Sequence, residues 1–259
     1  MARLSKLSRS VTGKVALVTG AASGMGRATA HLFADEGMHV IVTDVGAERV
    51  ATVVGEITAA GGSARGWEMN VTDGDTVRRV VAEAAAHFGG LDIVINNAGV
   101  VLPTPIEATD FDENWARSLD VMLTGQTRVV RAALLFLRKS TSPRIVNIAS
   151  TEGFGATKYG SAYTASKHAV IGLTRSLAVE LGSEGITVNC IAPGPIHTGM
   201  TADIPDQAKA IFAKRRTVLG RYGEPEEVAH ATLNFCLPAM TFVTGAVLVV
   251  DGGVLVRNA

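Results

Sequence analysis

The sequence predicts an α/β fold in which one doubly wound parallel sheet of seven strands carries helices on both faces. Apolar runs of strand length alternate with longer segments of helical period, which is typical of a parallel sheet that is covered on both sides. The chain has 259 residues, of which 47% are hydrophobic and 19% charged, and this is enough for one large core.

The predicted strands follow one another along the chain, and each is bounded by turn residues. They are KVALVTG (14–20), HVIVTD (39–44), SARGWEMN (63–70), LDIVINNAG (91–99), RIVNIAS (144–150), ITVNCIAPG (186–194) and AVLVVDGG (246–253). Helices are predicted at about 24–36, 47–60, 73–88, 112–139, 160–183 and 225–236. We expect a single domain over 13–259, a flexible arm over 1–12, and an irregular loop at about 194–224 that covers a ligand.

The composition disfavours several classes of protein. Lys plus Arg and Asp plus Glu both number 24, so no strong field favours nucleic acid or an anionic membrane. No apolar run is long enough to span a bilayer, and the basic start of the chain lacks the apolar core of a secretory signal, which favours a cytoplasmic location. Cys190 and Cys236 are predicted to be buried free thiols, and the six histidines show no metal-ligand spacing.

A glycine-rich turn follows the first predicted strand. Gly20, Gly24 and Gly26 open the next helix, where glycine allows a tight turn and brings the backbone close to a bound group. The N–H groups of the helix N-terminus favour a pyrophosphate. The alternative is a glycine turn that serves packing alone.

The second predicted strand ends with an acid. Asp44 lies 18 positions after Gly26, where a carboxylate accepts hydrogen bonds from an adenosine ribose. A 2′-phosphate would be repelled there, so NAD is favoured over NADP; Arg27 either softens the repulsion or is simply solvated. A helix-capping surface acid is the alternative interpretation of Asp44.

A tyrosine and a lysine stand four positions apart in SAYTASKHA. Tyr163 and Lys167 would share one helix face, and an ammonium beside a phenol lowers the pKa of the phenol. That arrangement suits acid and base catalysis, although the spacing alone also occurs on ordinary helix surfaces.

Taken together, the motifs resemble those of the short-chain dehydrogenase/reductase family, over about Gly13 to Gly253. They are TGAASGMG (19–26), Asp44, NNAG (96–99), NIAS (147–150), YTASK (163–167), PGPIHTGM (193–200) and VDGG (250–253). The resemblance implies a Rossmann-fold enzyme in which Ser150 binds the substrate oxygen and Tyr163 is the general acid or base. It also implies that Lys167 lowers the pKa of Tyr163 and holds the nicotinamide ribose.

The resemblance also implies a cofactor-binding set. Its members are Gly20, Ser23, Gly24, Met25, Gly26, Asp44, Asn70, Val71, Asn97, Ala98, Gly99, Tyr163, Lys167, Pro193, Ile196 and Thr198. Among them, Asn97 and Ala98 would follow the adenosine ribose, Ile196 would meet the nicotinamide carboxamide, and Thr198 would bind near the carboxamide or pyrophosphate. His197 is not expected to be a base, because Tyr163 fills that role.

The sequence departs from the family pattern at two positions. Asn70 replaces an aspartate expected at the adenine amino group, and its amide oxygen can still accept that hydrogen bond. Met122 replaces an asparagine that supports a water relay to the lysine. Methionine keeps only the backbone carbonyl at this position, so the expectation is an intact but slower or differently tuned proton path, with loss of activity as the rival.

The expected reaction is NAD(H)-dependent interconversion of a secondary alcohol and its ketone. A 3-oxoacyl-thioester reductase and a non-catalytic NAD(H)-binding sensor are the alternatives. Substrate contacts are expected from Glu152 and Phe154, or Glu152 is a solvated loop residue. The apolar residues expected to line the substrate pocket are Ile204, Ile211 and Phe212. The resemblance further implies a homotetramer built on the helices near 112–139 and 160–183.

Overall fold

The structure is a computed structural model and describes residues 4–257. Its seven strands form one parallel sheet in the order β3-β2-β1-β4-β5-β6-β7, which confirms the predicted doubly wound sheet. The strands are β1 (Val15–Thr19), β2 (His39–Asp44), β3 (Ser63–Glu68), β4 (Ile93–Asn96), β5 (Arg144–Ile148), β6 (Thr187–Pro193) and β7 (Val247–Val250). The chain order reverses between β1 and β4, where a crevice opens at the carboxyl ends of the strands.

Eight helices accompany the sheet within the described residues. They are α1 (Gly24–Asp35), α2 (Ala47–Ala59), α3 (Gly74–Phe88), α4 (Phe111–Leu119), α5 (Gly125–Leu137), α6 (Ser161–Leu181), α7 (Asp206–Arg216) and α8 (Pro225–Cys236). Helices α1, α2 and α8 pack against one face of the sheet, and α3, α5 and α6 pack against the other. The prediction of helices on both faces is therefore confirmed.

The central strands are mostly apolar because each of their faces is buried. In β1, Ala16 and Val18 belong to the core beneath α1 and α8, whereas Val15 and Leu17 belong to the core beneath α3 and α5. Successive side chains of a strand point to opposite faces, so a strand covered on both sides reads as a continuous apolar run.

The long helix predicted at 112–139 is interrupted. Residues Asp120–Thr124 form a single π-helical segment between α4 and α5. Immediately after it, Gly125 packs so closely on Val71 that an added Cβ would lie 2.9 Å from a side-chain carbon. The interruption turns Asp120 and Val121 towards the crevice while Met122 is buried.

The segment 194–224, predicted to be an irregular loop, contains helix α7. The prediction of irregular structure was wrong for this stretch because α7 lacks an apolar stripe. Ile211 and Phe212 are exposed, and Lys209 and Ala213 are its buried residues. Helix-favouring Ala, Lys, Arg and Gln residues and three basic residues in the last turn support the helix instead.

The start of the described chain is partly packed. Val11, inside the predicted arm, is buried against the sheet, and residues 1–3 of that arm lie outside the described residues. Cys190 and Cys236 are buried and unpaired, as predicted. Between residues 4 and 257, no helix combines the length and apolarity needed to cross a bilayer.

Candidate active site

The glycine turn after β1 is held against the chain that follows β4. An added Cβ on Gly26 would lie 2.1 Å from the Gly20 carbonyl oxygen and 2.5 Å from Asn97 Nδ2, so only glycine fits. Asn97 Nδ2 donates hydrogen bonds to the carbonyl oxygens of Thr19 (2.9 Å) and Gly20 (3.1 Å). The backbone N–H groups of Asn97 and Ala98 both donate to Thr19 Oγ1 at 3.0 Å.

A crevice of about 940 Å³ lies above this turn. Eleven residues predicted to bind a cofactor line it: Gly20, Ser23, Gly24, Met25, Asp44, Asn70, Val71, Asn97, Ala98, Gly99 and Thr198. The other five predicted residues do not line it: Gly26 lies beneath the turn, and Tyr163, Lys167, Pro193 and Ile196 are outside the lining. The volume is that of a pocket for a large ligand.

The crevice has the chemistry of a dinucleotide site. The N-terminus of α1 opens into it, Ser23 makes no side-chain cap there, and the first turn contains no acid. Its N–H groups therefore suit a pyrophosphate. At Gly20, an added Cβ would lie 2.9 Å from Ala98 Cα, so the turn keeps the backbone accessible to a bound group. These residues fit a nicotinamide dinucleotide.

Asp44, which is predicted to bind the adenosine ribose, lines the crevice. Its Oδ2 accepts the Ala22 N–H at 2.9 Å and its Oδ1 accepts the Val45 N–H at 2.7 Å, so the carboxylate is fixed where β2 ends. Arg27 pairs with Glu56 and not with Asp44. The basic neighbour is Arg49, whose Nη2 lies 3.9 Å from Asp44 Oδ1 and donates to the Val45 carbonyl at 2.8 Å.

Asn70 and Val71, which the resemblance places at the adenine, also line the crevice. Asn70 Oδ1 accepts the Thr72 N–H at 3.0 Å, so the amide oxygen already closes a local turn before α3. A carbonyl oxygen has two lone pairs, and the second is available to an adenine amino group.

Ser150, Tyr163 and Lys167 lie together beside β5, one strand beyond β4. Ser150 follows β5 by two residues, is buried, and its Oγ accepts the Glu152 N–H at 3.1 Å. Lys167 Nζ donates to the Ile148 carbonyl at 2.9 Å and lies 5.4 Å from the centre of the Tyr163 ring. The shared helix face predicted for Tyr163 and Lys167 is therefore present in α6.

Burial governs the protonation of these groups. It raises the pKa of Tyr163, the Glu152 carboxylate adds to that rise, and the neighbouring Ser150 hydroxyl opposes it. Burial also lowers the pKa of Lys167 to about 8. The prediction that Lys167 lowers the pKa of Tyr163 was wrong for this structure, because burial raises that pKa, and the phenol is a protonated donor at neutral pH.

Glu152 has a defined position rather than a solvated one. Its Oε1 accepts from Thr157 Oγ1 at 2.5 Å, and its Oε2 accepts from Thr164 Oγ1 at 2.7 Å. These bonds tie the turn after Ser150 to the first turn of α6, on which Tyr163 lies. Glu152 therefore fixes Ser150 and Tyr163 relative to one another.

The predicted apolar substrate residues are not brought together in the crevice. Phe154, Ile204, Ile211 and Phe212 are all exposed, and none lines it. Phe212 instead meets Tyr222 with ring centres 6.0 Å apart. His197 lies against the other side of Tyr222, at 5.1 Å, and does not line the crevice.

A family model described as enoyl-(acyl carrier protein) reductase matches residues 20–255 of the chain. The 3-oxoacyl-[acyl-carrier-protein] reductase of Thermotoga maritima is 38% identical over 244 residues, which are 94% of this chain and 98% of that protein. The chain belongs to the short-chain dehydrogenase/reductase family. It is accordingly placed among oxidoreductases.

Other members of the short-chain dehydrogenase/reductase family differ in what their names say they act on. The cis-4-hydroxycyclohexanecarboxylate dehydrogenase of Sinomonas cyclohexanicum is 41% identical over 241 residues, 93% of this chain and 96% of that protein. A crystal structure from Beutenbergia cavernae, assigned as an NAD(P)-dependent gluconate 5-dehydrogenase, contains NADP at low occupancy. It aligns with a TM-score of 0.90 and 36% identity, covering 96% of this chain and all of that chain.

Met122 lies in the π-helical segment where the family pattern has asparagine. The side chain is 0% exposed, and an added Cβ on Gly99 would lie 3.8 Å from its Cγ. Met122 therefore packs beneath the chain that leaves β4 for the crevice. No side-chain hydrogen bond replaces the one that an asparagine would make here, because a thioether is a weak acceptor and no donor.

Sequence reasoning missed Arg49 in the crevice and, outside the crevice, an aromatic contact made by Tyr222. Arg49 lies in the first turn of α2, and its position five residues after Asp44 is a usable signal, since that turn faces the carboxyl end of β2. Tyr222 stands between His197 and Phe212, in a segment with no motif. Only the fold brings those three rings together.

Proposed function

We propose that the protein interconverts a secondary alcohol and its ketone with NAD(H), and that Tyr163 transfers the proton. The observation that carries this proposal is the arrangement of Ser150, Tyr163 and Lys167 beside a crevice with dinucleotide chemistry. The nicotinamide of a bound cofactor supplies or accepts the hydride at the substrate carbon.

The chain's own residues handle the substrate oxygen. In reduction, the Tyr163 hydroxyl donates its proton to the carbonyl oxygen, and the Ser150 hydroxyl donates a hydrogen bond to the same oxygen. In oxidation, the proton returns to Tyr163. The raised pKa of Tyr163 suits the donor role. Lys167, anchored on the Ile148 carbonyl, is positioned beside the phenol and proposed to hold the nicotinamide ribose.

The proposed preference for NAD(H) rests on Asp44, with Arg49 as a counter-charge. A 2′-phosphate would approach the carboxylate, and the Arg49 guanidinium is the group able to offset that repulsion. We expect the protein to bind NADH about tenfold more tightly than NADPH. Arg49→Gln should weaken NADPH binding further and leave NADH binding almost unchanged, as measured by fluorescence titration of each cofactor. Tighter binding of NADPH by the unaltered protein would contradict the preference.

The substrate class is tested by a panel of ketones. We propose a moderately apolar or cyclic ketone, in keeping with the name of the Sinomonas relative, and a 3-oxoacyl thioester is the second candidate because of the Thermotoga relative. Purified protein should oxidise NADH in the presence of cyclic or aryl ketones, with NADPH run alongside. Turnover with 3-oxoacyl thioesters alone would favour the second candidate.

A binding-only sensor is the rival function, because Met122 removes a relay amide. If the proton path is intact but slow, Met122→Asn should raise kcat and shift its pH profile, since a buried amide can hold a water near Lys167. Met122→Leu, which keeps the volume and lacks an amide, should leave both unchanged. If Met122→Asn leaves kcat and its pH profile unchanged, the residue at position 122 does not affect the proton path. NADH binding without turnover of any ketone would favour the sensor.

We further propose a homotetramer, with interfaces on the exposed sides of α5 and α6. Leu135 on α5 and Val179 on α6 are apolar and largely exposed. Light scattering of the purified protein should give four times the 26.9 kDa chain mass. A monomer mass would contradict the proposal.

A further inference from the structure

A second cavity lies on the opposite side of the loop that follows β6. It has a volume of about 540 Å³ and is enclosed by α1, by residues 197–202, and by the first turns of α7 and α8. Gly24, Thr198 and Gly199 line both this cavity and the cofactor crevice. The two spaces are thus neighbours separated by one loop.

The lining of the second cavity is basic. Four of its eleven lining residues are Arg27, His31, His197 and Lys209, and none is Asp or Glu. Arg27 and Lys209 supply the positive charge, and a concave surface with charges of one sign concentrates counter-ions. The lining therefore favours an anion.

Lys209 is the most telling member of this set. The residue is 9% exposed, although it lies on a helix whose apolar side chains Ile211 and Phe212 face solvent. Its Nζ lies 3.7 Å from Oδ1 of Asp206, beyond hydrogen-bond distance, and the Asp206 side chain is fully exposed. The stem of Lys209 is therefore packed against the protein, while its ammonium, which has only this weak partner, is available to an anion in the cavity.

The other basic side chains are held in place around the cavity. Glu56 lies outside the lining and accepts from Arg27 Nε at 2.9 Å and Nη2 at 2.5 Å, and His31 Nε2 lies 3.0 Å from the same carboxylate. The His197 ring packs against the Tyr222 ring at a tilt of 35°, with ring centres 5.1 Å apart. Glu56 offsets the positive charge of Arg27. Asp206 offsets little of the positive charge of Lys209, because the Asp206 side chain is solvated.

We propose that this cavity is a binding site for a phosphate-group anion, which bridges Arg27 and His31 on α1 to Lys209 on α7. A phosphate has enough acceptor oxygens for several of these donors at once. The phosphate group has two possible sources, a free ion and the pyrophosphate of the cofactor across the loop. We assign the site to the free ion, because the N-terminus of α1 already serves a pyrophosphate in the crevice.

Calorimetric titration of inorganic phosphate tests the assignment. The protein is first saturated with NADH, or with NADPH if that binds more tightly, and ionic strength is held constant with sodium chloride. We expect phosphate to bind with the cofactor present. Lys209→Met should weaken that binding by about tenfold or more, Lys209→Arg should largely retain it, and neither should change cofactor affinity. Lys214→Met, an exposed lysine on the same helix, is the matched control and should change nothing.

Three results would overturn the proposal. Phosphate that binds only without cofactor, or a parallel loss of phosphate and cofactor affinity in Lys209→Met, would assign these cations to the cofactor. If no binding of phosphate is detected, the cavity is a solvated basic surface and not an anion site. If Lys209→Met does not fold, Arg27→Gln decides in its place, because it should weaken phosphate binding from the opposite wall. Since cofactor binding is measured separately, failure here is distinguishable from failure of the proposed oxidoreductase function.

Discussion

Tyr163→Phe should lower turnover by about 10²–10⁴-fold and leave NADH affinity within about twofold. The substitution removes only the hydroxyl that is proposed to give a proton to the substrate oxygen, whereas the ring and its packing near Lys167 remain. Single-turnover measurement of NADH oxidation, alongside fluorescence titration of NADH, separates the chemical step from binding.

Tyr159→Phe is the matched control for this experiment. Tyr159 lies two residues before α6 and is exposed. It has the same phenol hydroxyl as Tyr163 but is not one of the proposed catalytic residues. Its loss should leave kcat unchanged. Wild-type turnover by Tyr163→Phe would disprove the assigned proton donor, and equal losses in both variants would indicate a general effect on the segment.

Gly26→Ala should destabilise the fold by about 3 kcal/mol or more and abolish NADH binding. The added methyl would lie 2.1 Å from the Gly20 carbonyl oxygen, and backbone cannot yield as a flexible side chain does. For a chain of this size, the change corresponds to a fall in Tm of about 6 °C or more, which differential scanning calorimetry measures.

Gly55→Ala provides the opposite expectation for the same chemical change. Gly55 is exposed in the interior of α2, and an added Cβ meets nothing within 4 Å. The substitution should stabilise the protein by about 0.5–1 kcal/mol, because alanine loses less backbone entropy in a helix. A Gly26→Ala variant as stable as Gly55→Ala would show that the glycine turn relaxes, and that its tight packing is not required.

The sheet was predictable because its strands are apolar on both faces and its turns contain glycine. The spacing of Ser150, Tyr163 and Lys167 was equally readable, since the end of β5 and the first turn of α6 set their approach. Helix α7 was not predicted, because its apolar residues face solvent and leave no periodic stripe. Local propensity supports that helix, and it is a weaker signal than burial.

The electrostatic details of the site were beyond the sequence for a different reason. Whether the pKa of Tyr163 is raised or lowered depends on the balance between burial and the nearby polar and charged groups. Burial is a property of the folded chain. Arg49 is a neighbour of Asp44 because the fold packs the start of α2 against the end of β2, and the sequence alone does not show that packing. The interruption of the helix at Asp120–Thr124 likewise depends on tertiary packing, because Gly125 meets Val71 across the fold.

The side-chain amide of Asn97 orders the backbone at the base of the crevice in the absence of a ligand, and this ordered backbone forms the floor of the crevice. Its bonds to the Thr19 and Gly20 carbonyls, together with the two N–H groups that share Thr19 Oγ1, join the ends of β1 and β4 into one rigid unit. Association with a ligand over this floor loses little conformational entropy, because the groups it meets are already ordered. The residues of the loop after β6 are not part of that unit. If this loop loosens as the temperature rises, the affinity for a ligand at this end of the crevice should therefore change little.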